Sequence, residues 1–232
     1  LLKRIMTSAV YRQASARPDM LATRPGSAAQ IDPANRLLWR MPLRRLEAEI
    51  VRDAILAASG QLDRSLGGPP LALEVQPDGM VVIQEKGANT SRAKARRSLY
   101  VLARRNYHLS MLGVFDQPAM ATNCPNRQQS AVVLQSLTML NDAFVLDAAE
   151  RFAQRVSAES ESAEPCKQIE LAFRTALGRG PSASEVAWSS QLLETHAAEY
   201  AATGLPPDRV AEKSLVHLCH MLLNSNEFLY VP

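Results

Sequence analysis

The chain of 232 residues is long enough to bury a sizeable core, as one large domain or two small ones. Hydrophobic residues make up 47%, which excludes a disordered chain, and the net charge of +3, from 26 basic against 23 acidic residues, is too slight to point to nucleic acid or a membrane surface. Aromatics are only 5%, so Leu, Ala and Val carry the apolar content, a mixture that suits helices.

The opening, Leu1-Leu2-Lys3-Arg4-Ile5-Met6, reads as the middle of an amphipathic helix running to about Ala14, with no cap or start. It looks like part of a longer polypeptide whose targeting segments lie elsewhere. A stretch containing Pro, Gly and Ser, Arg17 to Pro33, follows as loop. Asn35 to Ser59 reads as helical, with Pro42 in the first turn of its second part and Gly60 as the stop. After the turn-rich Leu66-Gly67-Gly68-Pro69-Pro70, Leu71, Leu73 and Val75 alternate, Pro77-Asp78-Gly79 makes a turn, and Met80 to Ile83 closes a β-hairpin. Ser98 to Leu102 is a third short strand candidate, and the basic linker Lys86 to Arg97 before it reads as a mobile loop.

From Ser130 onward every segment is helical: Ser130 to Val156 as one long or two abutting helices, then Pro165 to Leu177. Ser182 and Glu185 form a capping box for a helix ending near Tyr200, and Pro207 to Asn224 is the last. The predicted fold is mainly α, with a small β-hairpin or three-strand element between about residues 71 and 103. Residues 1–232 read as a single, mostly helical domain, the C-terminal part of a longer protein. It is divisible into 1–128, with the β element, and 129–232, a helical bundle.

Polar residues on apolar faces are the candidates for chemistry. At 100° per residue, Leu43, Leu46, Ile50, Val51, Ala54, Ala57 and Ala58 share one face with Glu47 in its middle. A carboxylate buried there needs a partner, because burying it alone costs several kcal/mol. An internal salt bridge to Arg36, Arg40, Arg97 or Arg104, with Arg97 and Arg104 the first choices, stands beside a ligand-binding or catalytic carboxylate. Asn141 falls in the stripe of Val133, Leu137, Leu140, Phe144, Ala148 and Phe152. Either Asn141-Asp142 breaks the helix and caps the next, or Asn141 contacts a substrate. Arg96-Arg97 and Arg104-Arg105, with Arg92 and Lys94 upstream, could hold an anion or form a solvated face.

Other motifs exclude more than they assign. Cys124, Cys166 and Cys219 form neither a disulfide framework nor a zinc pattern, and all three are expected to be free thiols. Cys219-His220 lacks the second cysteine of a haem attachment site, since position 216 is Val216. His217 and His220 lie outside the Leu215, Leu218, Cys219, Leu222 stripe and have no further ligands placed by sequence, so no metal or haem is expected in this chain. Phosphate loops, nucleophile elbows and HExxH are absent.

Several blocks in order carry a family resemblance: Asn35-Arg36-Leu37-Leu38-Trp39-Arg40, Arg44-Arg45-Leu46-Glu47-Ala48-Glu49 with Arg52-Asp53, Gly67-Gly68-Pro69-Pro70 and Arg97-Ser98-Leu99-Tyr100. Phe115-Asp116, Arg127 with Gln135 and Asn141, Ala176-Leu177-Gly178-Arg179 and Leu223-Asn224-Ser225-Asn226-Glu227-Phe228 continue them. Together they resemble the planctomycete-specific domain of unknown function, with departures at Asn126 and at Ser130-Ala131-Val132. The resemblance implies the C-terminal part of a large exported protein, periplasmic or extracellular, with cytochrome c domains upstream that could carry haem c. It implies no established activity. The expected role is an accessory or structural module that packs on upstream domains of its own polypeptide, without nucleic acid or a membrane span. The alternative is an enzyme or a carbohydrate- or anion-binding domain with a polar pocket around Glu47, Arg97, Arg104, Arg127, Gln135 and Asn141.

Overall fold

The structure, a computed structural model, describes residues 1–15, 26–84, 94–118, 130, 133–160 and 164–231. The chain divides into two units, Leu1–Leu46 with Tyr230–Pro232, and Glu47–Leu229.

In the first unit, helix α1 covers only Leu2–Met6. The expected helix to Ala14 ends there because Thr7 Oγ1 and Ser8 Oγ donate to the carbonyls of Lys3 and Ile5 at 2.8 and 2.7 Å. Short hydroxyl side chains compete with the helical ladder for exactly these acceptors' lone pairs, and turns follow. Helix α2 spans Ala28–Ile31. No helix starts at Asn35: a hydrogen-bonded loop runs from Asp32 to Arg40. Beyond it the two-residue strand Arg44–Arg45 pairs antiparallel with Tyr230–Val231.

The second unit starts with α3, Ala48–Ala58, which ends at Ser59 with Gly60 at φ +75° as the stop. The hairpin is present: Leu73–Val75 pairs antiparallel with Val81–Ile83, closed by Asp78 Oδ1 accepting from Met80 N at 2.9 Å. Its buried side chains, Leu73, Val81 and Ile83, follow the alternation read from the sequence. The third strand is not formed. Ser98–Tyr100 is a 3-10 turn, because Ser98 N donates to Asp53 Oδ1 at 2.7 Å instead of joining a ladder, and only an isolated bridge links Leu71 with Val101. Thus the β element is a two-stranded hairpin.

After α4, Ser110–Val114, come α5, Val133–Asn141, and α6, Ala143–Glu159. They abut at Asp142, whose carboxylate accepts from Phe144 N at 2.8 Å and caps α6. Helix α7 is Pro165–Leu177, stopped by Gly178 at φ +71°. Helix α8, Ala183–Ala202, carries the full capping box of Ser182 and Glu185. Helix α9, Pro207–Leu223, packs on α6, α7 and α8, and α10, Asn226–Leu229, closes the end. The core of this unit joins Val51, Ile55 and Leu56 of α3, Val145, Phe152 and Val156 of α6, Ile169 of α7 and Leu215, Leu218 and Leu223 of α9, all essentially inaccessible. The fold is mainly α.

Candidate functional site

Glu47 does not lie on a buried face. It is the exposed N-cap residue of α3, with extended backbone at φ −69° and ψ 153°. The face that α3 buries consists of Ala48, Val51, Arg52, Ile55, Leu56 and Ala58, so Ile50 is exposed and the predicted stripe is turned away. Arg97 is the exposed residue before the 3-10 turn, and Arg104 is exposed over the Tyr107 ring, 5.5 Å from its centroid. Asn141 is exposed and donates to Leu137 O at 3.0 Å within its own helix. Arg127 lies outside the described residues, as do Cys124, Arg92 and Asn126.

Among the described candidates, Gln135 alone is buried. Its Nε2 donates to Val114 O and Ser130 O at 3.1 Å each and lies 3.5 Å from Asp116 Oδ2. Asp116 also accepts from Ser130 N and Oγ at 2.8 and 2.7 Å. This node fastens the end of α4 to the start of α5 and leaves Val133, Leu134, Leu137 and Leu140 exposed, so the predicted stripe is core only beyond Asp142. The bonds of Gln135 and Asn141 and the ring contact of Arg104 lead to different neighbours.

The buried charge that sequence reasoning placed at Glu47 is Arg52, five residues on and 1% exposed. Its Nη1 donates to Arg96 O at 2.9 Å and Ser98 Oγ at 3.1 Å, and its Nη2 donates to Lys94 O at 2.5 Å. Burial lowers its pKa to about 10, against the opposing pull of Asp53 at 3.8 Å, and it remains a cation at neutral pH. Arg96 in turn donates to Pro69 O at 2.8 Å and to Gly67 O, and its guanidinium stacks 4.0 Å from the Tyr100 centroid. These arginines bind backbone carbonyls. The signal for Arg52 was in the sequence: counting it as internal gives Ala48, Val51, Arg52, Ile55 and Leu56 the i, i+3, i+4, i+7, i+8 spacing of a core face.

Further polar clusters lie on the helical bundle. His217 stacks on His196 with centroids 4.1 Å apart and bonds Tyr200 Oη through Nε2 at 2.7 Å. His196 Nδ1 meets Glu199 at 3.0 Å, and His220 Nε2 donates to Met139 O at 3.0 Å. Burial, then His196 and His220, lower the pKa of His217. Arg179 makes paired hydrogen bonds to Glu185 and Glu227, and Glu185 is held down at about 2 chiefly by that contact. A polar groove of about 390 Å³ includes Ser59, Gly60, Arg64, Arg155 and Glu159. There Arg155 donates to the carbonyls of Ala57 and Ala58 at 3.0 and 3.2 Å and pairs with Glu159, closing the C-terminal end of α3. Among the described residues no three His, Cys, Asp or Glu side chains are grouped to hold a metal ion, and no helix is long and apolar enough to cross a membrane. Cys166 and Cys219 are free thiols, and burial raises the pKa of Cys219.

The first unit has a different kind of construction. Asp32 accepts from Arg36 N and Leu37 N at 2.9 and 2.7 Å, while its carbonyl accepts from Trp39 Nε1 at 2.7 Å. Asn35 exchanges two bonds with the backbone of Arg40, at 2.8 and 3.1 Å. Five hydrogen bonds thus hold a loop whose tip, Leu37 and Leu38, is 78% and 58% exposed. Among the described residues of this unit the buried ones are Asp32 and Arg45, both polar.

The model of a family described as a protein of unknown function (DUF1553) matches residues 1–193. No curated protein and no solved structure matches the chain.

Proposed function

The chain belongs to the DUF1553 family of proteins of unknown function, and on that footing we propose that it is an accessory, structural module of an exported, cytochrome c-associated multidomain protein. The resemblance of its ordered motifs to the planctomycete-specific domain supports the export and the company of cytochrome c domains. One structural observation carries the docking part of the reading. The first unit buries no apolar side chain among its described residues, yet Leu2, Ile5, Met6, Val10, Tyr11, Ile31, Leu37 and Leu38 are exposed. Exposed apolar side chains in a unit whose described residues bury none support an interaction role for it. In this reading these side chains are covered by other domains of the polypeptide.

The test is a comparison of residues 1–232 with the protein isolated at its natural length. Oxidative footprinting should label Met6 and Trp39 in the short chain and leave both protected in the long one, which should also show the absorption of haem. Equal labelling in the two, or a long form without haem, removes the docking or the cytochrome part of the reading respectively.

A further inference from the structure

The loop Asp32 to Arg40 is ordered by its own side chains, and it displays two leucines at its tip. Leu38 has φ +56° and Asn35 φ +55°. Asn tolerates the left-handed region through its short polar side chain, but leucine, with its Cβ close to the following carbonyl oxygen, is disfavoured there. A strained residue persists when its surroundings over-determine it, and such residues concentrate where a protein recognises something. The over-determination is visible in the Asp32 carboxylate, the Asn35 side chain and the Trp39 indole.

Charge narrows what could be recognised. Residues 1–46 hold nine basic and two acidic side chains, whereas residues 47–232 hold 17 and 21. The small net charge of the whole chain therefore conceals a strongly basic segment joined to an acidic one. Around the leucines stand Arg36 and Arg40, with Arg44 and Arg45 four and five residues further on.

Resting on the docking reading above, we infer that the Asp32 to Arg40 loop is a preformed peg. Leu37 and Leu38 enter an apolar socket on a protein surface outside residues 1–232, and carboxylates at the rim of that socket pair with Arg36 and Arg40. A rigid peg loses little conformational entropy on docking, which is the physical use of five hydrogen bonds around an exposed tip. A protein socket suits the feature better than a lipid surface, because the described helices of the unit, of five and four residues, are too short for an interfacial helix.

The experiment uses the protein at natural length, with Trp39 as reporter of the loop and Met6 as reporter of α1, and the double variant Leu37→Ser/Leu38→Ser. The inference expects Trp39 oxidation to be slow in the natural protein and to rise roughly tenfold or more in the variant, as for loss of an interface anchor. The same variant in residues 1–232 should melt unchanged, which separates lost docking from lost folding; Leu37→Ser alone serves if the double variant folds poorly. Arg36→Glu/Arg40→Glu should also release Trp39. Protection of Met6 without protection of Trp39 overturns the peg and leaves docking intact. Labelling of both overturns the two together. Binding of residues 1–232 to vesicles of phosphatidylglycerol and phosphatidylcholine, lost in the double-serine variant, overturns the protein socket in favour of a lipid surface.

Discussion

The two units solve the problem of backbone order by opposite means. In Glu47–Leu229 the main helices, α3 and α6 to α9, run from 11 to 20 residues, with ends capped by Asp142, Ser182 and Gly178 and apolar faces that close on Phe152, Ile169 and Leu218, each 0% exposed. In Leu1–Leu46 with Tyr230–Pro232, the described helices have five and four residues, and polar side chains do the ordering. Asp32 and Asn35 close the loop there, as Thr7 and Ser8 close the turn after α1. Hydrophobic burial contributes about 25 cal/mol per Å², whereas a local hydrogen bond contributes about 1 kcal/mol net. The second unit therefore owes its stability to packing, whereas the described residues of the first bury only polar side chains.

The largest expected effect lies where the second unit departs from its own rule. Arg52→Met removes a buried cation and leaves the carbonyls of Lys94 and Arg96, the Ser98 hydroxyl and Asp53 short of a partner. Chemical denaturation should show a loss of about 3 kcal/mol. A loss below about 1 kcal/mol would mean that packing alone holds the segment from 94 to 98, and the contrast between the units would sharpen further. Next in size is the junction of α5 and α6. Asp142→Ala should cost about 1 kcal/mol through loss of the cap, while Asn141→Ala, at an exposed site, should stay within about 0.5 kcal/mol. The reverse order would restore Asn141 as the residue that matters.

Helix ends were legible in the sequence because they rest on local chemistry. The box of Ser182 and Glu185, the stop at Gly60 and the bounds Pro165 and Leu177 depend on neighbours within four residues, and all stand where expected. The hairpin was legible for the same reason. Helix phase was not, because Arg52 was counted as a surface residue. Its partners, Lys94, Arg96 and Ser98, lie more than 40 residues away, so the spacing that would admit Arg52 to the core face names no acceptor for its guanidinium. Once that phase slipped, Glu47 fell on an apparent core face. Leu137 and Leu140 misled in the opposite direction: Gln135 turns α5 by bonding Val114 O and Ser130 O, and the leucines face outward.

A pH dependence follows from the His196–His217 stack, which belongs to the second unit only. Burial, His196 and His220 lower the pKa of His217 below 6.5, so the unfolded chain takes up that proton at a higher pH than the folded one. Stability should therefore fall as pH drops through and below about 6.5. Melting curves at stepwise lower pH should show this slope in the native chain and a flatter one in His217→Gln. The facing groups are His196, Glu199 and Tyr200 on α8 and Lys213 and His220 on α9, of which Glu199 opposes the shift. An unaltered slope in the variant would place the titrating group elsewhere.

The smallest effect is the one that most directly probes the first unit. Leu38 is 58% exposed with φ +56°, so Leu38→Gly removes little buried surface and relieves a backbone conformation that disfavours leucine by roughly 1–2 kcal/mol. Against this, glycine gains conformational freedom in the unfolded chain, a cost of about 0.5–1 kcal/mol. The balance predicts residues 1–232 unchanged or more stable by about 0.5 kcal/mol. In the second unit the reverse exchange has the opposite sign. Gly60 has φ +75° and Arg155 Cδ would stand 3.1 Å from an added Cβ, so Gly60→Ala should destabilise the chain. If Leu38→Gly instead costs more than about 1 kcal/mol, the leucine side chain is part of a packed structure in the isolated chain, and the first unit is not the coreless display surface that its exposed side chains describe.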